Sequence, residues 1–79
     1  MPKEPISDVS RIFGERVRER RTELALSQER LAEGTSLHWS VIGRIERGQS
    51  NLTLANIVKL SEALEIDPGK LVAGLRSGD

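Results

Sequence analysis

The chain has 79 residues, with 12 basic and 12 acidic side chains and a formal net charge of zero. A chain of this length forms one small domain with a thin core, and such domains often gain stability by oligomerising. The absence of cysteine excludes a disulfide framework and thiolate zinc sites. Zero net charge argues against nucleic-acid binding, although a basic patch can be hidden in the sum.

The composition also limits catalysis and targeting. His38 is the only histidine, so a nucleophile would have one possible base, and no carboxylate partner for it is evident in the sequence. Neither GxGxxG nor GxxxxGK[ST] occurs. We therefore expect no enzyme, no metal and no cofactor. No apolar run could cross a membrane and no signal-peptide pattern follows Met1, which predicts a cytoplasmic protein without a membrane partner.

The first segment of the chain is predicted to be irregular. Residues 1–7 contain two prolines and no hydrophobic pattern, and we expect a flexible arm there. Helix 1 should begin near Asp8 or Ser10 and end near Glu23. Its apolar stripe at helical spacing consists of Val9, Phe13, Val17 and Leu24. Most of the charged residues on this helix are expected to face solvent in weak ion pairs.

Residues 27–48 have the pattern of two short helices joined by a turn. Ser27 is a suitable N-cap for the first helix, and the segment 33–36 contains a helix-weakening glycine. The second helix is predicted to span His38 to Arg47, because Ile42 and Ile45 are three residues apart on one face. Gly48 is a typical C-terminal stop.

Two further helices follow this motif. Thr53 can cap helix 4, whose expected apolar positions are Leu54, Ile57, Leu60 and Leu64. Asp67-Pro68 is a typical helix start, and helix 5 should continue to about Leu75. With no strand pattern, the prediction is an all-α, compact five-helix domain over residues 8–75, followed by a tail at 76–79.

The second motif helix has an outward face of unusual composition. If Ile42 and Ile45 are buried, then the residues pointing away are Trp39, Ser40, Gly43 and Arg44. An indole, a hydroxyl, a glycine and a guanidinium suit contact with another molecule better than contact with water. The alternative for Trp39 is a partly buried core indole.

The stretch 27–48 resembles the helix-turn-helix of the phage-repressor, Cro and XRE regulators. The resemblance lies in Gln28, Leu31-Ala32, Leu37, Ile42, Ile45 and Glu46-Arg47-Gly48, and it extends from Phe13-Gly14 to Leu64. The later part looks most like the small controller proteins of restriction–modification systems. Two positions depart from the family pattern: Ser36 stands where glycine is usual, and His38 stands where a hydroxyl or Asx cap is preferred.

The resemblance implies a lambda-repressor-like fold and a DNA-binding function. One helix fits the major groove and its early residues reach base edges, which implies base contacts from Trp39, Ser40, Gly43 and Arg44. The expected phosphate contacts are Gln28, Arg21, His38, Arg47, Gln49 and Asn51. In the resembled family, an arginine at position 21 pairs with a glutamate at position 46. A purely structural bridge between these two residues is an equally good interpretation.

The last helix suggests how the chain assembles. The apolar residues Ile66, Leu71, Val72 and Leu75 exceed what one short terminal helix needs, so we expect them to join two copies in a two-fold dimer. Double-stranded DNA and a second copy are thus the expected partners, with RNA polymerase as a further candidate. The rival hypothesis is an antitoxin or other protein-interaction module that uses Trp39 and helix 5.

Overall fold

The computed structural model describes residues 4–78, and its regular secondary structure within that range is five α-helices. They are α1 (Asp8–Glu23), α2 (Gln28–Thr35), α3 (Trp39–Glu46), α4 (Leu54–Ala63) and α5 (Pro68–Val72). The predicted all-α, five-helix class is confirmed. Between residues 4 and 78, no helix is both long enough and apolar enough to span a membrane.

Every helix begins after a side chain that accepts a hydrogen bond from a first-turn backbone N–H. These caps are Ser7, Ser27, His38, Thr53 and Asp67. Such a cap satisfies a donor that has no partner within the helix. Helix α3 begins one residue later than predicted, because His38 has extended backbone angles and acts as the cap.

Two turns explain where helices stop. Ser36, at the position of the usual glycine, ends α2 in the left-handed conformation with φ of 62°. Helix α5 ends at Val72, three residues before the predicted end. Ala73 leaves the helix with ψ of 132°, and Gly74 follows with φ of 73°.

The helices enclose one core. Helix α1 packs across α3, α2 packs against α3 and α4, and α5 packs against α4 and α1. The buried apolar side chains at the centre are Phe13, Val17, Leu31, Ala32, Ile42, Ile45, Leu60, Leu64 and Leu71. This arrangement buries the predicted inner face of α3 and fixes the direction of its outer face.

The structure corrects two predicted apolar positions. Leu54 was expected among the apolar positions of α4, but it is the first residue of that helix and its side chain is 77% exposed, unlike the buried Leu60 and Leu64. Leu71 was expected at a dimer interface, but it is only 1% exposed because α5 turns it inward against α4 and α1. A side chain already buried within the monomer has no surface to offer a second copy.

Two arginines of α1 hold α5 in place. The Arg16 guanidinium donates to the carbonyl oxygens of Leu71 (3.1 Å) and Ala73 (2.7 Å). The Arg20 guanidinium donates to those of Leu64 (2.9 Å) and Glu65 (3.1 Å). A five-residue helix has little stability alone, so Arg16 attaches the C-terminal end of α5 to α1, and Arg20 attaches the end of α4, just before α5, to the same helix. Most charged residues of this helix were expected to face solvent, and these two arginines do not follow that expectation.

The segment predicted as a flexible arm is partly attached to the domain. The backbone N–H of Ile6 donates to the carbonyl oxygen of Gly48 at 2.8 Å, and Ser7 caps α1. Residues 1–3 of that arm, and Asp79 of the predicted tail, lie outside the described range. The domain boundaries at residues 8 and 75 stay a prediction.

Gly14 marks the closest approach of α1 to α3. A Cβ atom built at this position would lie 2.2 Å from the carbonyl oxygen of Ile45 and 2.8 Å from that of Glu46. Both contacts are with backbone atoms, which cannot rotate away as a side chain would. Glycine at position 14 therefore lets α1 lie directly against the end of α3.

We predict that Gly14→Ala lowers the free energy of unfolding by about 3 kcal/mol, the upper end of the usual cost of overpacking. Urea denaturation followed by circular dichroism measures this change. Gly69→Ala is the matched control, because a Cβ there meets only the Asp67 side chain, with 3.4 Å to its nearest oxygen. Equal stabilities of the two variants would contradict the close packing of α1 on α3.

Candidate nucleic-acid interface

Helix α3 presents one face to the core and one to the outside. Ile42 and Ile45 are fully buried, whereas Trp39, Ser40 and Arg44 are exposed. The indole of Trp39 keeps 52% of its surface exposed and is not part of the core, so the alternative of a partly buried core indole is wrong. The outward direction predicted for these three side chains is therefore observed.

A buried carboxylate ties α3 to the two preceding helices. Glu46, whose side chain is 3% exposed, accepts from Arg21 through Nε to Oε2 (2.6 Å) and Nη2 to Oε1 (3.0 Å). Its Oε1 also accepts from the Gln28 amide at 3.1 Å. The Arg21 guanidinium makes a third bond of its own, from Nη1 to the Leu26 carbonyl oxygen at 2.8 Å. One carboxylate thus connects α1, α2 and α3.

The hydrogen bonds in this cluster also limit which other contacts Arg21 can make. The hydrogen bond to Glu46 raises the pKa of the Arg21 guanidinium, burial acts in the opposite direction, and the charge of Glu46 raises it further. The guanidinium therefore stays charged, but its charge is matched by Glu46 and three of its donor bonds are made within the domain. The bridge between α1 and α3 is observed. The basic character of this face depends on Arg44 and Arg47.

Gly43 does not lie on the exposed face, contrary to prediction. It is buried, and a Cβ at this position would lie 3.2 Å from Arg47 Nη1 and 3.5 Å from Gln28 Oε1. Position 43 turns toward α2, so side chains from α2 and from the end of α3 cover it. Its small size makes room for Gln28 and Arg47, both predicted phosphate contacts, to lie side by side.

At the start of α3, His38 contacts both Trp39 and Ser40. His38 Nδ1 lies 3.1 Å from the backbone nitrogen of Ser40 and 2.8 Å from its Oγ. The His38 ring also lies near the Trp39 ring, with 5.6 Å between centroids and 30° between planes. The sequence suggested a role for each residue separately but did not predict these bonds. The only available signal was histidine at an expected cap position.

The segment after α3 continues the polar surface. Arg47 Nε donates to Gln49 Oε1 at 3.0 Å, which holds two predicted phosphate contacts together. Asn51 is exposed and Gln49 is half-buried. With Gln28 beside Arg47, these side chains form a polar border along one side of α3.

Comparison with known proteins identifies this arrangement. The sequence profile of the HTH_3 helix-turn-helix family matches residues 17–71, which is most of the chain. The chain belongs to the helix-turn-helix family. In this helix-turn-helix protein, α2 and α3 form the motif, and α1, α4 and α5 complete the domain around it.

This helix-turn-helix chain is similar to control proteins and to a phage repressor. Control protein C.SmaI of Serratia marcescens is 42% identical over 65 residues, which cover 82% of this chain and 77% of that protein. The crystal structure of the restriction–modification controller protein C.AhdI of Aeromonas hydrophila has a TM-score of 0.77 and 50% identity, covering 78% and 94%. The P22 c2 repressor bound to a synthetic operator has a TM-score of 0.75 and 31% identity, covering 81% and 97%.

The four residues predicted to join two copies differ in how exposed they are in this helix-turn-helix domain. Val72 is 39% exposed, Ile66 and Leu75 are half-buried, and Leu71 lies in the core. Within residues 4–78, no group of three or more His, Cys, Asp or Glu side chains is arranged to hold a metal ion.

We predict that Glu46→Gln lowers the free energy of unfolding by about 3 kcal/mol, because it leaves the partly buried Arg21 without its charge partner. The substitution keeps the shape of the side chain, so packing should change little. Chemical denaturation measures the loss, and combining Arg21→Met with Glu46→Leu should recover part of it. Glu33→Gln, which removes an exposed ion pair with Arg30, is the control and should change stability by less than about 1 kcal/mol.

Proposed function

We propose that this chain is a sequence-specific DNA-binding regulator of transcription that acts as a dimer on an inverted-repeat operator, as a controller of a restriction–modification system. The observation that carries the proposal is the outer face of α3, where Trp39, Ser40 and Arg44 are exposed on a helix fixed by Glu46. The similarity to control proteins and to an operator-bound repressor supports it.

In this proposal α3 enters the major groove of double-stranded DNA. Arg44 is the principal base reader, since a guanidinium can donate to guanine O6 and N7 together. Trp39 offers an apolar surface for a thymine methyl group or a sugar. Ser40 reads a base edge. Gly43 is withdrawn from direct base contact, because Gln28 and Arg47 cover it.

Phosphate contacts come from the border of α3. Gln28 and Arg47 lie over Gly43, and Gln49 is hydrogen-bonded to Arg47, so these three side chains can meet the backbone as one group. His38 and Asn51, both exposed, extend this border at the two ends of α3. Arg21 acts mainly through Glu46, because its donors are already engaged within the domain.

Dimerisation is proposed through a surface that we call the apolar face, formed by Leu54, Val58 and Val72. These are large apolar side chains left exposed in the monomer, 37% or more of each. Beside them lies a groove of about 190 Å³ between α1, α5 and the segment before α4, lined partly by Phe13, Leu52, Ile57, Val72 and Leu75. Leu52 lines this groove, and the exposed Leu54 lies two residues further along the chain, next to it. In a two-fold dimer, the Leu54 side chain of each copy can therefore lie against the groove of the other copy.

A dimer presents two copies of α3 to DNA, and the number of base pairs that are read increases accordingly. One helix reads only a few base pairs, whereas two related by a two-fold axis read half-sites with centres about 34–36 Å apart. Regulation then follows from concentration, because dimerisation and operator binding are coupled. The position of the operator relative to the promoter decides between activation and repression. RNA polymerase is a further proposed partner, and the predicted cytoplasmic location agrees with this role.

We predict that Arg44→Ala weakens binding to the cognate duplex by about 1–3 kcal/mol and relaxes the preference at one base pair. Stability should be nearly unchanged, because the side chain is exposed. The cognate duplex is first selected from random sequences, and affinities for it and for random DNA are then measured by titration. Arg76→Ala, which removes one charge from the segment after α5, is the control. An unchanged ratio of cognate to random affinity would remove Arg44 from the base readers.

We predict that Val58→Glu and Leu54→Glu separate the two copies without unfolding either, because both side chains are exposed in the monomer. Sedimentation at micromolar concentration should show dimers for the parent and monomers for the variants, with DNA affinity falling steeply. Leu71→Glu should instead unfold the domain, since it buries a charge in the core. A parent that sediments as a monomer and binds a single half-site would contradict the proposed dimer.

A further inference from the structure

His38 is hydrogen-bonded to Ser40 through one ring nitrogen. Nδ1 lies 3.1 Å from the Ser40 backbone nitrogen, and the same atom lies 2.8 Å from Ser40 Oγ. A backbone N–H can only donate, so Nδ1 must accept and carries no proton. The neutral ring therefore has its proton on Nε2.

The protonation of Nδ1 determines the orientation of the Ser40 hydroxyl. Across the 2.8 Å contact one group must donate, and an unprotonated Nδ1 cannot. The hydroxyl proton of Ser40 is therefore directed at His38, and the rest of Oγ presents only lone pairs. We infer that His38 makes Ser40 an obligate hydrogen-bond acceptor on the DNA-facing surface of α3. The inference rests on the proposed DNA-binding function.

An acceptor at this position has a defined preference among bases. In the major groove, adenine presents its N6 amino group and cytosine its N4 amino group as donors, whereas guanine O6 and N7 and thymine O4 are acceptors. Ser40 therefore pairs with adenine or cytosine and disfavours guanine and thymine. Phosphate oxygens are also acceptors, so the same argument assigns Ser40 to a base edge and not to the DNA backbone.

Neighbouring groups keep the His38 ring in the orientation that accepts from Ser40. The ring lies against Trp39, at 5.6 Å between centroids, and its bond to the Ser40 N–H caps α3. Rotating the imidazole away would break the cap and the ring contact together. His38 is therefore a positioning residue, which acts on DNA through Ser40 in addition to any phosphate contact of its own.

The first experiment tests the protonation of the ring directly. The chain has a single histidine, so a nitrogen-resolved NMR spectrum of labelled protein at about pH 8 contains one imidazole. The expected result is a proton on Nε2 and none on Nδ1. A spectrum with the proton on Nδ1 would overturn the inference, whatever the DNA result.

The second experiment measures base preference. Binding sites are selected from random duplexes with the parent, Ser40→Ala, His38→Ala and His38→Asn. Ser40→Ala identifies the base pair that Ser40 reads, and the parent should prefer adenine or cytosine there by about two- to tenfold, the effect of one hydrogen bond. His38→Ala should lose most of this preference. His38→Asn should keep it, because an amide oxygen can also accept from Ser40 and cap the helix.

The outcomes separate the two proposals. A parent that selects no sequence would refute the DNA-binding function, and this inference with it. A parent that selects a sequence but prefers guanine or thymine at the Ser40 pair would overturn the role of His38 alone. The same holds if His38→Ala, shown by circular dichroism to be folded, retains the parent's preference at that pair.

Discussion

The carboxylate of Glu46 is the constraint on which the functional face depends. It lies at the end of α3, is almost completely buried, and accepts hydrogen bonds from one side chain of α1 and one of α2. A buried carboxylate is costly unless it is paired, so the position of α3 that satisfies it is strongly favoured over nearby alternatives. The exposed residues of α3 are therefore presented in one orientation before any partner is bound. Such preorganisation reduces the ordering cost of association.

The arginines of this chain include two groups with different surroundings. Arg16, Arg20 and Arg21 direct their guanidinium groups to acceptors within the domain, whereas Arg44 and Arg47 face outward. This division explains how a chain with zero net charge can still present exposed arginines on α3 and directly after it. The sum over the sequence counts internal and external arginines alike, but only the external ones are available to phosphate or to base edges.

The sequence predicted the helices and the direction of α3 because periodicity and capping are local properties. Ile42 and Ile45 defined the buried face, and Ser27, Thr53 and Asp67 marked helix starts. Gly43 and Leu71 were predicted incorrectly because their exposure depends on neighbouring helices, which a single-helix pattern does not contain. The bonds of Arg16 and Arg20 were missed for the same reason, since their acceptors are backbone carbonyls more than forty residues away. The bonds that His38 Nδ1 accepts from Ser40 are local, but they depend on a ring tautomer that the residue type does not determine.

Gly14 and the two arginines that bind the C-terminal ends of α4 and α5 give α1 a mechanical role. This helix contacts α3 on one side and α5 on another, so it lies between the proposed DNA-binding surface and the proposed subunit contact. At 16 residues it is about 24 Å long. In a two-fold assembly the separation of the two α3 helices would then depend on how α1 is attached to α3 and to α5. A change in operator spacing during evolution would require a change in α1 or its attachments, while a change in operator sequence would require only new side chains on α3.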